Sequence, residues 1–252
     1  MTHNISRRSL IAGSALSALA LGAAGQAQAR TQNFPQKWDF EADVVVIGAG
    51  ASGSAAAWAA AEKGLKVVTL EKSAMVGGTG KFSEGIFAVE SSMQRDWNYG
   101  LTKDQAFTMI MNYGHWRGNA RMVRAFVDRS ADTIDWMKKN GVKFEKLFSN
   151  YPNGLYTWHI YEGRGAGWIN LFMKKYQDAG QTLLLNTWGE KLIQENGRVV
   201  GVEATNKAGD KITVRSKTTI IATGGSAVYS DEAMRHLRQQ GNAREVSALC
   251  RL

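Results

Sequence analysis

Six residues in the first quarter of the chain, Gly48-Ala49-Gly50-Ala51-Ser52-Gly53, match the pattern G-x-G-x-x-G. In this pattern the first glycine permits a tight turn, the second lets the backbone approach a pyrophosphate, and the third lets a helix pack closely on a strand. The helix that follows offers free N–H groups and a positive dipole end to the phosphates. Glu71 lies about 20 residues further on, where an acidic side chain accepts ribose hydroxyls. These residues predict a dinucleotide site, and a purely structural glycine-rich turn is the alternative.

The segments around these residues have the patterns needed to position them. Asp43–Ile47 is a continuous apolar run, typical of a strand buried on both faces of a parallel sheet. Ser54–Lys63 is rich in alanine and predicts a helix that Gly64 closes. Leu65–Leu70 predicts a second buried strand, and Glu71 follows it directly. Strand, helix and strand fit within about 30 residues, the size of one βαβ unit.

NAD and FAD share this fingerprint, so other residues must distinguish them. A second glycine pair, Gly77-Gly78, is followed by Thr79, Ser83 and Gly85. Much later in the chain, a predicted strand over 218–222 leads into Thr223-Gly224-Gly225. In each of these three segments, the backbone can approach one extended ligand. This favours FAD, because an NAD site explains only the first glycine turn. An NAD-dependent dehydrogenase remains the alternative.

The remaining segments predict helices first and strands later. Thr102 and Asn119 are suitable N-caps for helices at Lys103–Trp116 and Ala120–Asn140, and a third helix is expected over Gly165–Ala179 after an aromatic loop at Ser149–Arg164. Strands are expected at Leu183–Asn186, Lys191–Gln194, Val199–Thr205, Lys211–Val214 and Thr218–Ala222, with hairpin turns at Asn196-Gly197 and Ala208-Gly209-Asp210. These elements predict an α/β fold: a Rossmann-like domain with a central parallel sheet, an antiparallel β-meander and no cap domain.

Three segments resemble the flavoprotein family of fumarate reductases and succinate dehydrogenases, which includes flavin-dependent ketosteroid dehydrogenases and related periplasmic reductases. These segments are Asp43–Gly53, Glu71–Gly85 and Ile220–Gly225. The pieces between them occur in the same order as in that family: Ile134-Asp135-Trp136 before Gly141, Glu162–Gly167 at the start of a helix, and Gly197–Val202 before the last strand. The resemblance covers about Glu41–Gly225.

The resemblance implies that the domain binds FAD, whose N5 exchanges a hydride with a C–C bond of the substrate. It carries cofactor-binding roles onto Gly48, Gly50, Ala51, Ser52, Gly53, Glu71, Lys72, Gly78, Thr79 and Thr223. Relatives that attach FAD through a histidine have that residue near the second glycine pair. None of the four histidines lies between Glu71 and Gly100, so attachment by that route is not expected.

The family continues past the Ala-Thr-Gly-Gly segment into a cap domain that supplies the arginines and histidines of its active site. Here only residues 226–252 follow, so the catalytic residues of the family cannot be carried over and those of this chain are unknown. His159 and Arg164 are the candidates within the chain. A hydrogen-bonded structural histidine and a surface arginine are the competing interpretations.

The first residues have the order of a secretory signal: Arg7-Arg8, the uncharged stretch Leu10–Gly22, and Ala27-Gln28-Ala29 as a cleavage site. The arginine pair predicts twin-arginine export to the periplasm, with a membrane anchor as the alternative. The expected organisation is a signal peptide at 1–29, a linker at 30–41, the FAD-binding domain at 42–225, and a tail at 226–252 that ends early.

The composition excludes several other classes. A single cysteine, Cys250, rules out an internal disulfide or a four-cysteine iron–sulfur site, and no metal site is predicted. The net charge of +9 is spread along the chain without a nucleic-acid motif, so nucleic acid is not an expected partner. The expected partners are a small substrate, an unsaturated carboxylate or enone, and an electron-donor protein. A non-catalytic, truncated flavoprotein remnant is the alternative to an oxidoreductase.

Overall fold

The structure, a computed structural model, describes Pro35, residues 37–149, Pro152 and residues 154–225. Its strands are β1 Phe40–Ile47, β2 Val67–Leu70, β3 Gly85–Phe87, β4 Phe144–Phe148, β5 Trp158–Tyr161, β6 Thr182–Leu184, β7 Thr187–Glu195, β8 Arg198–Asn206 and β9 Lys211–Ile221. Its α-helices are α1 Ala51–Ala61, α2 Ser92–Asp96, α3 Lys103–Tyr113, α4 Ala120–Lys139 and α5 Arg164–Asp178, and a 3₁₀ helix spans Gly78–Phe82. The predicted signal peptide and tail lie outside the described residues.

A six-stranded sheet with the order β6-β2-β1-β9-β8-β7 forms the centre of the fold. The strands β6, β2, β1 and β9 are parallel, and β7, β8 and β9 form an antiparallel meander. This arrangement confirms the predicted α/β class with a central parallel sheet and an antiparallel meander. The segments 211–214 and 218–222 are one strand rather than two, because β9 pairs first with β8 and then continues along β1.

The parallel strands are buried as their apolar sequences predict. Val45 and Val46 have no exposed surface, and Val67 is 1% exposed. One face of the sheet packs with α1 and α5 in a cluster that contains Phe172 and Tyr176. β1 begins at Phe40, so the expected linker at 30–41 overlaps the first strand; Phe40 packs against the cluster on the other face of the sheet.

A second, three-stranded antiparallel sheet has the order β3-β5-β4. Its middle strand, β5, lies inside the segment 149–164 that was expected to be a loop, and that expectation is wrong. The reason is visible in the alternation of burial: His159 and Tyr161 face the core, whereas Trp158 is 38% exposed. A strand of four residues, one of whose partners, β3, is distant in sequence, has too short a pattern to be recognised alone.

The N-caps of α3 and α4 were predicted correctly, whereas α1 ends at Ala61 with Glu62 as its C-cap rather than at Gly64. Thr102 forms a capping box with Gln105 at the start of α3, and the Asn119 side chain accepts the Met122 amide at the start of α4. The short helix α2, which a capping box of Ser91 and Gln94 begins, was not predicted. Within the described part of the chain, no helix has the length and apolar character that crossing a membrane requires.

Candidate functional site

The three glycines of the first turn differ in the space that surrounds them. A Cβ on Gly48, whose φ is +98°, would lie 2.5 Å from the Ala222 carbonyl oxygen, and one on Gly53 would lie 1.8 Å from the Gly48 carbonyl oxygen. These two positions therefore have no room for a side chain. A Cβ on Gly50 would meet its nearest neighbour, the Gly77 carbonyl oxygen, only at 4.0 Å. The backbone at Gly50 is thus open to a ligand, as the pattern predicts.

Helix α1 presents its amino terminus at this opening. Gly50 is the N-cap and has no side chain to cap the helix. The first intrahelical bond runs from the Ser54 amide to the Gly50 carbonyl oxygen at 2.9 Å. By helix geometry, the N–H groups of Ala51, Ser52 and Gly53 therefore point out of the helix end, where a phosphate can accept them.

The second glycine pair closes on the first turn. The Gly77 amide donates to the Ala49 carbonyl oxygen at 2.8 Å, and Gly77 forms a β-bridge with Gly50. Gly77 and Gly78 have φ values of +112° and +48°, which side-chain-bearing residues rarely adopt. Gly78 and Thr79 begin the 3₁₀ helix and are exposed next to the opening.

The segment that follows β9 also lies against the first glycine turn. The Ala222 amide donates to the Ile47 carbonyl oxygen at 2.8 Å, so the chain runs beside β1 as far as the glycine turn. Thr223 follows in an exposed position, and its Cα would lie 3.4 Å from a Cβ on Gly48. Three backbone segments therefore meet at the carboxyl edge of the parallel strands, the edge at which open α/β sheets bind ligands.

The buried Glu71 carboxylate links two backbone segments at this edge of the sheet. Its side chain is 7% exposed; Oε2 accepts the Ala49 amide and Oε1 accepts the Ser73 amide, both at 2.8 Å. Each carboxylate oxygen has two lone pairs, so the group can also accept a ribose hydroxyl. This second, structural role of Glu71 was not predicted. Lys72, the next residue, is exposed.

The two catalytic candidates, His159 and Arg164, lie in different environments, one buried and the other exposed. His159 is fully buried, where Nδ1 donates to the Thr157 carbonyl oxygen at 3.1 Å and Nε2 is in hydrogen-bond contact with the Ser91 hydroxyl at 2.6 Å. Burial lowers the pKa of His159 below 6.5, and its bonds to backbone carbonyls oppose this only in part. Arg164 is exposed, with a φ of +55°, and its guanidinium lies 3.7 Å from the Glu84 carboxylate. These positions suit a structural histidine and a surface arginine.

Other residues support the site without having been predicted. Ser83, at the end of the 3₁₀ helix, contacts the Tyr161 hydroxyl and the backbone of Gly80. Gly165 at the start of α5 packs against the same backbone. The glycines at 80 and 165 were the available signal, but nothing in the sequence shows that they touch. Among the described residues, no group of three or more His, Cys, Asp or Glu side chains could hold a metal ion.

The family model described as "FAD binding domain" matches residues 43–249, and the chain belongs to this family. It is 35% identical over 186 residues to a vinyl phenol reductase of Lactiplantibacillus plantarum, covering 73% of this chain and 38% of the relative. It is 29% identical to an NADH:fumarate oxidoreductase of Klebsiella pneumoniae, covering 75% of this chain and 21% of the relative.

Two solved structures share the fold. The open conformation of a flavocytochrome c3 fumarate reductase matches with a TM-score of 0.69 at 21% identity, over 90% of this chain and 39% of the other. A 3-ketosteroid-Δ4-(5α)-dehydrogenase from Rhodococcus jostii RHA1 matches with a TM-score of 0.69 at 22% identity, over 80% of this chain and 49% of the other. The chain thus spans less than half the length of these relatives.

The cofactor of this domain is FAD, and the residues present fit it. The backbone cradle at Gly50 would be filled by a side chain, the helix end beside it suits a pyrophosphate, and Glu71 lies where the second strand of a βαβ unit ends. The family match confirms the expected family and cofactor. The contacts of the individual predicted residues with FAD, including those of Lys72, Thr79 and Thr223, remain predictions.

Proposed function

We propose that this chain is the FAD-binding part of an exported flavin-dependent oxidoreductase of the fumarate reductase type. Bound FAD would supply a hydride acceptor and donor for a C–C bond of the substrate. The residues of this chain bind and orient it: Gly50 and the start of α1 receive the pyrophosphate, and Glu71 accepts ribose hydroxyls. The observation that carries the proposal is the meeting of three glycine-bearing backbone segments at one sheet edge.

The proposed substrate is a small molecule with a polarised C–C double bond, such as an unsaturated carboxylate or an enone. Support comes from the names of the relatives, which include a vinyl phenol reductase, an NADH:fumarate oxidoreductase and a urocanate reductase. The substrates of these proteins differ in shape and charge, so the shared feature is the double bond. We further propose an electron-donor protein as the source of reducing equivalents.

A second candidate function is flavin binding without catalysis. The placement of the two candidate residues favours it, since His159 is buried among Ser91 and Thr157 while Arg164 contacts Glu84 at the surface. Neither side chain is presented as a proton donor or as a carboxylate ligand. Under this reading, the described domain retains FAD but does not reduce a substrate.

Periplasmic location is part of the proposal. Arg7-Arg8, the uncharged stretch that follows and Ala27-Gln28-Ala29 support export by the twin-arginine route. This route moves folded proteins, which suits a domain that must fold around its cofactor before export.

The test of cofactor binding is a titration of the purified full chain with FAD and, separately, with NAD. We expect FAD to co-elute with the protein in gel filtration and to show visible flavin absorption, and NAD not to be retained.

Gly50→Val is the informative variant, because Gly50 has a φ of −74° and space for a side chain. The variant should therefore fold, and its side chain should occupy the phosphate position. Gly100→Val, at another open position, is the control. Retention of NAD, or full FAD binding by Gly50→Val, would overturn the assignment.

A further inference from the structure

A hydrogen bond between two side chains joins the 3₁₀ helix next to the glycine turn to the second sheet. Ser83 is the C-cap of that helix, and Tyr161 is the last residue of β5. Their hydroxyl groups are in hydrogen-bond contact, and Tyr161 is only 3% exposed. The bond therefore forms largely away from water, where the loss of a partner costs more than at the surface.

The surroundings of Ser83 determine which hydroxyl donates. Ser83 Oγ lies 2.7 Å from the carbonyl oxygen of Gly80, and a carbonyl oxygen can only accept. Ser83 therefore donates its proton to Gly80, and Tyr161 donates its proton to Ser83. The chain of two bonds holds the Gly80 carbonyl in the middle of the 3₁₀ helix.

The backbone around Gly80 is confined from two further sides. The Gly165 amide, at the start of α5, donates to the Ser83 carbonyl oxygen at 2.7 Å. A Cβ on Gly165 would lie 1.9 Å from the Gly80 carbonyl oxygen, and a Cβ on Gly80 would lie 2.7 Å from the Ala51 Cβ. The 3₁₀ helix thus fits between the amino termini of α1 and α5. A shift of Gly80 would move Gly77 and Gly78, which lie against Gly50.

We propose that Tyr161 is a positioning residue for the cofactor. Acting through Ser83, its hydroxyl keeps residues 77–80 in the conformation that closes on the pyrophosphate at Gly50 and the start of α1. The inference rests on the proposed function, because it takes this opening to be the FAD site. Tyr161 acts on affinity through Ser83 and the 3₁₀ helix, to which its hydroxyl is bonded.

The test measures dissociation constants of the full chain for FAD and for ADP, which carries the pyrophosphate without the flavin. Tyr161→Phe and Ser83→Ala should each weaken both ligands about fivefold or more, which corresponds to about 1 kcal/mol. The double variant should bind no more weakly than the worse single variant, because both changes break the same chain of bonds. Amide hydrogen exchange over residues 77–83, measured without ligand, should be faster in both single variants than in the unaltered chain.

Tyr99→Phe is the matched control, because the Tyr99 hydroxyl also makes a hydrogen bond, accepting the Tyr156 amide at 3.1 Å, but away from the 3₁₀ helix. It should leave both dissociation constants within about twofold of the unaltered chain. Unchanged affinity and unchanged exchange in Tyr161→Phe would overturn the inference, and so would equal weakening by Tyr99→Phe. If the unaltered chain binds neither FAD nor ADP, the proposed function fails. The exchange rates then still decide whether Tyr161 holds this segment.

Discussion

Glu71 has an observed structural role in the glycine turn and a predicted role in binding the cofactor. Its carboxylate accepts the amide of Ala49 within the glycine turn and the amide of Ser73 beyond the second strand. These two bonds connect the ends of β1 and β2, on which the ligand-binding edge is built. The ribose hydroxyls would take lone pairs that these bonds leave free, so the group that orders the turn is also predicted to contact the cofactor.

We expect Glu71→Ala to weaken FAD binding by roughly ten- to a hundredfold, since a bond to a charged group contributes about 1.5–3 kcal/mol. The measurement is FAD titration followed by quenching of flavin fluorescence. Glu71→Gln is the matched variant, because its amide oxygen can still accept one backbone N–H, and it should lose less affinity than the alanine variant. Unchanged FAD affinity in a folded Glu71→Ala protein would show that the acidic residue of the fingerprint has been misassigned.

Among the elements, the three-stranded sheet connects regions that are far apart in sequence. β5 pairs with β3, which directly follows the loop of the second glycine pair, and with β4, which follows α4. His159 in the middle of β5 binds Ser91, the N-cap of α2. The imidazole of His159 therefore links this sheet to α2.

The buried His159 predicts that stability falls in mild acid. Because its pKa is lowered from 6.5 in the folded chain, the unfolded chain binds more protons below about pH 6.5. The stabilisation is therefore fully present above that pH and is lost as the pH falls toward the lower folded value, by at most about 1.4 kcal/mol per pH unit. Urea unfolding at about pH 7.5 and about pH 5.5 measures this change.

His159→Gln should be less stable than the unaltered chain at the higher pH but should show a smaller loss on acidification. The exposed His115 offers the control: its φ is +49°, which asparagine tolerates, so His115→Asn should keep the normal loss. The carboxyl groups with lowered pKa values, including that of Glu62, lose their contribution only below about pH 4.5 and lie outside this window. An identical pH dependence in His159→Gln would contradict the role of this histidine.

At the scale of the whole molecule, the described residues form one FAD-binding domain, and the match spans 38% and 21% of two relatives and 39% of a solved structure. The proposed activity and location involve features other than the sheet and its glycine turn. Two of these features are open to direct tests, the N-terminal segment and the catalytic competence of the chain by itself.

Replacing Arg7-Arg8 by two lysines should block export although the charge is unchanged, because the twin-arginine route reads the arginine pair. Unprocessed precursor should accumulate in the cytoplasm of the expressing bacterium, as followed by cell fractionation and immunoblotting. Arg30→Lys, just after the expected cleavage site, is the control and should be exported normally. Normal processing of the double-lysine variant would exclude the twin-arginine route.

We expect the polypeptide from Arg30 to Leu252, supplied with FAD and a reduced dye, not to reduce fumarate or similar enoates at a steady rate. Orientation of the reactants can contribute about 7–11 kcal/mol and a positioned acid about 10²–10⁴-fold, and neither His159 nor Arg164 is placed to provide them. The measurement is the oxidation of the dye, with an intact relative as the positive control. Steady turnover would contradict this expectation, and loss of turnover in Arg164→Gln or His159→Gln would then identify the residue responsible.

Local sequence patterns were sufficient to predict those strands, caps and turns that are determined by their own residues. The continuous apolar runs at 43–47 and 65–70, the caps Thr102 and Asn119, and the turn at Asn196-Gly197 all appear in the structure with boundaries shifted by a few residues. Helix α1 begins three residues before its predicted start, because the glycine turn itself passes directly into the helix. The joining of 211–214 and 218–222 into one strand was missed, because polar residues between them hide an extended chain that has partners on both sides.

The sequence by itself determined the class of fold, the family, the cofactor and the glycine turn at the sheet edge, because turn geometry and strand burial leave direct marks in residue type and spacing. Only the tertiary structure decided that Glu71 is bound to the glycine turn, that β5 forms the middle of a second sheet, and that His159 lies in the core. It also revealed the contact between Tyr161 and Ser83. These features depend on contacts between segments up to about 80 residues apart, such as the hydroxyl pair of residues 83 and 161. Such contacts exist only after the chain has folded, so no local pattern specifies them.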